Sequence, residues 1–214
     1  MACCSPNSGG RSIAALRSGT SRQRPRIWRS YSPANVPRDD LTTDFHVRMI
    51  DGGVLSMVLT RGLAVGARLR IGSPVGTLTY EPGTGRDVLL VAGSTGLAPL
   101  KAIAEQISGL ADPPRVHLLF GARTADGLYD LTDLEKMAAR HPWLTVVPVV
   151  SDEPGYPGER GMLHEVLARS GDWRGHDVYA SGPTPMVEAT VTQLMALGVP
   201  RSQIYLEDFG WSEP

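Results

Sequence analysis

The fold turns on residues 87–100, Asp87-Val88-Leu89-Leu90-Val91-Ala92-Gly93-Ser94-Thr95-Gly96-Leu97-Ala98-Pro99-Leu100. Val88–Ala92 is a continuous apolar run, the pattern of a parallel strand buried on both faces. From Leu97 to Ser108 the apolar residues Leu97, Leu100, Ile103, Ala104 and Ile107 recur at helical spacing. Between strand and helix stand two glycines that let the backbone come close to a bound group, and Pro99 suits a first helical turn. The free N–H groups at that helix start, with the positive end of its dipole, favour a pyrophosphate. The turn has no Gly-Lys-Ser/Thr ending, so it is not a P-loop. It is also neither a G-x-G-x-x-G fingerprint nor a G-x-S-x-G nucleophile elbow.

Outward from this unit the strand–helix alternation repeats. Strand Val116–Phe120 is followed by helix Thr132–Arg140, and strand Leu144–Val150 by helix Gly161–Arg169. Strand Asp177–Ala180 is followed by helix Pro185–Leu197, and strand Gln203–Leu206 ends the series. Five strands alternating with four helices predict an α/β doubly wound five-stranded parallel sheet over residues 86–214. Ligands of such sheets lie beyond the carboxyl ends of the strands. Those ends carry Gly93–Pro99, Gly121-Ala122-Arg123-Thr124 and Ala180-Ser181-Gly182-Pro183-Thr184-Pro185-Met186. Arg123 is placed to meet an adenosine phosphate. Gly182 and Pro183 keep the chain low beside the sheet and leave room above it for a flat ligand.

Before residue 86 the chain is short-stranded and rich in turns. Thr43–Ile50 alternates like a half-buried strand, Asp51-Gly52-Gly53 supplies a turn, and Val54–Arg61 reads as a short helix or turn. Arg68–Ile71 is a further strand, and Glu81–Gly85 reads as a linker. Residues 25–82 are therefore expected to form a small antiparallel barrel. Residues 1–24 are rich in Ser, Gly and Arg, without an apolar period, and are expected to be a disordered or spurious leader.

Composition narrows the class further. In 214 residues, 42% are hydrophobic and 20% charged, as in a soluble globular protein. No apolar run reaches the roughly 20 residues of a membrane span. The net charge of −1 gives no reason to expect nucleic acid. Residues 1–38 hold seven Arg and no acidic residue, so the remainder carries −8. Cys3 and Cys4 alone cannot build a disulfide framework or an iron–sulfur cluster, and the five His show no metal-ligand spacing. A cytoplasmic location is expected.

Taken in series, these segments resemble the ferredoxin–NADP reductase superfamily, nearest the reductase part of flavohaemoglobins and globin-coupled reductases. The matching text is Trp28-Arg29-Ser30-Tyr31-Ser32-Pro33-Ala34-Asn35, Phe45-His46-Val47-Arg48, Gly53-Val54-Leu55-Ser56 and Gly72-Ser73-Pro74-Val75-Gly76. It continues with Ala92–Pro99, Phe120–Thr124, Ser181–Met186 and Glu207-Asp208-Phe209-Gly210. The resemblance covers residues 25–211 and implies an FAD barrel followed by an NAD(P)H-binding domain. It implies a flavin-dependent oxidoreductase that passes hydride from nicotinamide to flavin. Electrons then go to a haem protein or another one-electron acceptor in trans.

The residue roles come from the same resemblance. Arg29 is similar to the Arg on the FAD pyrophosphate, Tyr31 to the aromatic against the isoalloxazine, and Ser32 to the hydroxyl near N5. His46, Val47 and Arg48 fall where the family's chain lines the adenosine side, and Gly53–Ser56 resemble the second pyrophosphate turn. Gly93, Ser94, Thr95, Gly96, Ala98 and Pro99 would hold the NAD(P) pyrophosphate, with Arg123 beyond. Gly182, Pro183 and Met186 would shape the nicotinamide floor. Phe209 would cover the flavin with Glu207 nearby, and Ser181 stands where many members carry Cys. With Ser32, Ser181, Glu207 and Phe209 as the catalytic set, the resemblance also implies about three strands ahead of Arg29 in a closed barrel. Met1–Ile27 does not read as strands. The expectation is an N-terminally truncated barrel with a compromised FAD site, and the alternative function is an NAD(P)-binding remnant that holds no flavin.

Overall fold

The computed structural model describes residues 12–16 and 28–208. Its first body is a three-stranded antiparallel sheet in the order β2-β1-β3, made of β1 (Ser12–Leu16), β2 (Trp28–Tyr31) and β3 (Leu69–Ile71). β1 is the central strand, pairing Ser12–Ala15 with β2 and Ala14–Leu16 with β3. This corrects the expectation of a leader without strands. The sequence hid β1 because Ser12-Ile13-Ala14-Ala15-Leu16 neither alternates nor carries the β-branched density that marks a strand.

A second correction concerns Thr43–Ile50, which contains no strand. Its one ladder contact is an antiparallel bridge from Phe45 to Pro33. The buried Asn35 takes over the backbone groups a ladder would have used. Its amide donates to Val36 O at 2.8 Å and Thr42 O at 3.2 Å and accepts from Asp44 N at 2.6 Å. A side chain that closes a loop in this way competes with sheet pairing. Further on, α1 (Val54–Met57) runs into one π turn, Val58–Gly62.

The second body is a parallel sheet of six strands in the order β7-β6-β5-β4-β8-β9. The ranges are β4 (Asp87–Gly93), β5 (Val116–Ala122), β6 (Leu144–Val150), β7 (Glu159–Arg160), β8 (His176–Gly182) and β9 (Ile204–Asp208). Helices α2 (Leu97–Ser108), α3 (Leu131–Arg140), α4 (Leu163–Ser170) and α5 (Thr184–Ala196) cover its faces. The doubly wound fold is as read, with six strands in place of five. β7 was missed because two polar residues at a sheet edge make no apolar run.

Period two divides the core. Val88, Leu90, Ala92, Leu118, Phe120 and Tyr179 face the α2–α3 side. Leu89, Val91, Leu119, Val178 and Ala180 face the α4–α5 side. Leu78 and Tyr80, from the chain before the linker, join the first of these cores. The linker itself is tied down by the buried Asp177, which accepts from Thr84 Oγ1 at 2.6 Å and from Arg86 Nε at 2.8 Å. The strand order reverses between β4 and β8, and at such a point the carboxyl ends of two adjacent strands open a crevice.

Candidate functional site

Both sides of that crevice are glycine-lined for steric reasons. Gly96 has φ −60°, which any residue adopts, so space alone decides its identity. A Cβ there would overlap the carbonyl carbon and oxygen of Ser181 and stand 2.7 Å from Gly182 N. The turn after β4 is thus pressed directly onto the end of β8. Gly182, at φ +156°, has the Met186 methyl over it, and a Cβ would stand 3.0 Å from Gly93 O. Met186 therefore packs across the ends of β4 and β8 with Pro183 beside it, where the sequence reading placed a floor. Ala98 and Pro99 are buried in the first turn of α2, while Ser94 and Thr95 remain partly accessible.

Ser94 is bent to a left-handed φ of +53°, which costs a non-glycine residue of order 1 kcal/mol and concentrates at functional sites. Its hydroxyl accepts from Arg48 Nη1 at 3.3 Å, across from the other body. The glycine turn and the Phe45–Arg48 segment are therefore in direct contact.

Three of the expected catalytic residues meet. The parallel register pairs Ala92 with Ser181 and Ser181 with Glu207, so Ser181 and Glu207 are lateral neighbours on one sheet face. Ser32, just beyond β2, donates its hydroxyl to Glu207 Oε1 in a short bond between two buried side chains. Ser181 is fully buried, and its Oγ has no hydrogen-bond partner among the described residues. A buried hydroxyl without a partner costs about 1–3 kcal/mol, so one near the carboxyl end of β8 fits a ligand that supplies the missing bond. Beside them, Ser30, Val75, Gly76, Thr77, Leu206 and Glu207 line a cleft of about 270 Å³. Val75 and Gly76 belong to the Gly72–Gly76 motif, and Thr77 follows it directly. Phe209 lies outside the described residues.

The residues expected to line a flavin are partly assembled. Arg29 is exposed, its guanidinium donating to Trp28 O at 2.8 Å. Burial raises the Tyr31 phenol pKa above its ordinary value, with Arg29 opposing, so the ring stays neutral. Ser56 is buried and caps its own turn, donating to Gly53 O at 3.0 Å and accepting from Ile50 N at 3.2 Å. Val47 is half-buried beside His46. His46 points to the other body, where its Nδ1 meets Tyr129 Oη at 2.7 Å.

Arg123 is bound differently from the expectation of a phosphate-ready cation. Its Nε donates to Asp152 Oδ2 at 2.6 Å, and Ser151 Oγ donates to Asp152 Oδ1 at 2.7 Å. These two hydrogen bonds hold the Asp152 carboxyl below the usual carboxylate range. Glu153 accepts from Ala125 N at 2.8 Å in the same turn. Two carboxylates at the end of β6 thus border the expected adenosine position, and no sequence motif announced them.

Among the described residues no helix is long and apolar enough to cross a membrane, and no group of three or more His, Cys, Asp or Glu could hold a metal ion. Comparison with known proteins adds the following. The oxidoreductase FAD-binding domain pattern matches residues 14–80 and the oxidoreductase NAD-binding domain pattern residues 90–192. The xylene/toluene monooxygenase electron transfer component of Pseudomonas putida is 35% identical over 187 residues, covering 85% of this chain and 53% of the relative. A ferredoxin–NAD(P)+ reductase of Metapseudomonas resinovorans is 33% identical, covering 88% of this chain and 57% of the relative. The chain spans about half the length of the curated relatives it matches. An Amycolatopsis cytochrome P450 reductase superposes with a TM-score of 0.82 at 32% identity, covering 94% of this chain and 60% of the other. The flavohaemoglobin-like FAD/NAD-binding domain of nitric oxide dioxygenase from Vibrio cholerae has the same fold. Its TM-score is 0.82 at 21% identity, over 95% of this chain and 85% of the other.

Proposed function

From the premise that the chain joins the FAD-binding and NAD-binding oxidoreductase domains of the ferredoxin–NADP reductase family, we infer that it is a flavin-dependent NAD(P)H oxidoreductase. It delivers electrons to a separate acceptor. Bound FAD would accept a hydride at N5 from the nicotinamide and release electrons singly, which is the cofactor's own chemistry. The residues present fit it: a polar cleft beside Glu207, a buried Ser181 hydroxyl with no partner among the described residues, and a glycine turn packed directly onto the end of β8.

The observation that carries the reading is the Ser32–Glu207 hydrogen bond, since it joins the two bodies at the end of the β8–β9 ladder. Ser32 Oγ–H already donates to Glu207 Oε1, so these two side chains form a proton path from a buried site. Ser181 stands in the next ladder position, able to orient a carboxamide or ring edge through its hydroxyl. Gly93–Gly96 and the α2 start would receive the dinucleotide pyrophosphate through backbone N–H groups. Arg29 and the Gly53–Ser56 turn would hold the flavin pyrophosphate through charge-assisted bonds.

Asp152 supports NADH over NADPH. It neutralises Arg123 and, with Glu153, would repel a 2′-phosphate, whereas a ribose hydroxyl can donate to a carboxylate. As acceptor, the relatives support an oxygenase system, haem or otherwise, ahead of a globin: the more similar proteins are named as electron-transfer components and a P450 reductase. Exposed Arg61, Arg68 and Arg70, with Val65, Leu69 and Ile71, offer a cationic and apolar surface for such a partner.

The test is the visible absorption spectrum of the purified chain with and without added FAD. A flavin spectrum that survives gel filtration and bleaches on NADH under nitrogen is the expected result. A chain that takes up no FAD while still binding NADH would overturn it.

A further inference from the structure

We infer that His46 and Tyr129, with Asp130 and Lys101 behind them, form a clasp that sets the registry of the two bodies, and that His46 and Tyr129 are positioning residues. Besides Ser32, Leu78 and Tyr80, two adjacent segments of the flavin-side body reach the sheet domain, residues 33–38 and 44–48, tied to each other by the Pro33–Phe45 bridge and by Ala34 N donating to Asp44 O at 2.8 Å. Each segment then bonds outward. Val36 N donates to Glu105 Oε2 on α2 at 3.1 Å, and Arg38 lies 3.7 Å from the same carboxylate. His46 meets Tyr129 at 2.7 Å and lies 3.8 Å from Asp130. Asp130 is fixed in turn by Lys101 of α2 at 2.7 Å.

The chemistry of the pair decides its protons. Burial, with Asp130 opposing, holds the His46 imidazole below its ordinary pKa, and partial burial, with 48% of the residue still exposed, pushes the Tyr129 phenol above its own. At neutral pH the phenol therefore donates and Nδ1 accepts, which leaves Nε2–H facing Asp130. The charged groups around His46 are Asp130 and Lys101 from the sheet domain and Asp44 from its own segment. The Tyr129 ring also stands edge-on to the buried Phe120 of β5, 5.7 Å between centroids, so the donor is anchored to the core. His46 follows the bridged Phe45 directly, so the acceptor is anchored too.

A bond between two anchored elements transmits position. If the clasp opens, Val36 loses its Glu105 partner, because residues 33–38 and 44–48 are bridged to each other and approach the sheet domain together. The clasp itself is read from geometry. Its consequence for hydride transfer rests on the function proposed above.

The experiment is amide hydrogen exchange of the full chain by NMR. Tyr129→Phe and His46→Leu should each speed exchange at Val36 about fivefold, the factor for one neutral hydrogen bond. Leu90 and Leu118 in the central strands should keep wild-type rates, and the double variant should exchange no faster than either single one. His46→Asn, whose amide oxygen can replace Nδ1 as acceptor, should restore Val36 protection. Unchanged Val36 exchange, equal acceleration in β4 and β5, or His46→Asn behaving like His46→Leu would each overturn the clasp. In single-turnover reduction by NADH, Tyr129→Phe should lower the rate about fivefold with NADH dissociation unmoved. A wild-type chain showing no flavin reduction would defeat the functional reading and leave the exchange test standing.

Discussion

Gly96→Ala tests the tightest contact in the site. Gly96 already has φ −60° and ψ −12°, so alanine brings no backbone strain and only volume. The added methyl would overlap the Ser181 carbonyl and lie 2.7 Å from Gly182 N, all backbone atoms of β8. None of these can rotate away, so the turn after β4 must lift from the sheet or β8 must shift in its ladder with β4 and β9. Overpacking of this kind costs about 3 kcal/mol, the upper part of the usual range. For a chain of this size that is a fall in melting temperature of roughly 6–12 °C. Two controls bracket it. At Gly93 the added methyl meets the flexible end of Met186 at 2.9 Å and Pro183 Cδ at 3.3 Å, so Gly93→Ala should cost about 1 kcal/mol. At Gly175 nothing lies within 4 Å, and Gly175→Ala should be neutral or stabilising by up to about 1 kcal/mol. The assay is thermal melting by circular dichroism with NADH affinity in parallel. A Gly96→Ala protein melting within about 2 °C of wild type would refute the claim that the turn is pressed onto β8.

Other perturbations read different parts of the site. Asp152→Asn removes the carboxylate holding Arg123 and should raise the NADPH-to-NADH ratio of kcat/KM at least tenfold, about 1.4 kcal/mol; an unchanged ratio would show that Asp152 does not face the ribose. Ser32→Ala removes the donor to Glu207 and should slow flavin reduction by NADH about tenfold or more, with NADH dissociation unchanged, as stopped-flow absorbance would report. His117 and His176 are held below their ordinary pKa by burial, and each has a buried Nδ1 without a partner among the described residues. The folded state therefore takes up protons less readily than the unfolded chain, so stability is full above the unfolded pKa of about 6.5 and falls as pH drops below it. Chemical denaturation from pH 7.5 to 5.5 should show this slope, flattened in His117→Gln/His176→Gln; an equal slope in the variant would place the loss elsewhere.

What the sequence revealed depended on how much of each element is encoded locally. Val88–Ala92 with Leu97–Ser108 is a complete strand–turn–helix statement, and the structure follows it to within a residue at each end. β1 and β7 are the opposite case. Ser12–Leu16 is a strand because β2 and β3 flank it, and Glu159–Arg160 because β6 offers an open edge at Val149 and Val150. Partners far along the chain decide both, so no local pattern marks them. The Asn35 loop shows the same effect in reverse, since one polar side chain turned an alternating segment away from the ladder. At the site, Ser32, Ser181 and Glu207 were legible through family-like motifs. The Arg123–Asp152 pair was not, because a surface carboxylate at the end of the neighbouring strand carries no motif.

That difference also explains where the site is vulnerable. Ser32 and Glu207 stand 175 residues apart and meet only when the flavin-side body docks on the end of the β4-β8-β9 ladder. Each sheet satisfies its own ladder, so beyond the packing of Leu78 and Tyr80 the docking rests on hydrogen bonds of roughly 1 kcal/mol each: Ser32 to Glu207, Arg48 to Ser94, Val36 N to Glu105 and His46 to Tyr129. Loosening any of them leaves both sheets intact while moving the reacting centres apart. Substitutions along this seam should therefore lower the rate of flavin reduction well before they lower the melting temperature. Substitutions in the Leu90, Leu118 and Phe120 core should do the reverse, because that core lies mainly within the six-stranded sheet and its helices, with Leu78 and Tyr80 joining from the chain before the linker.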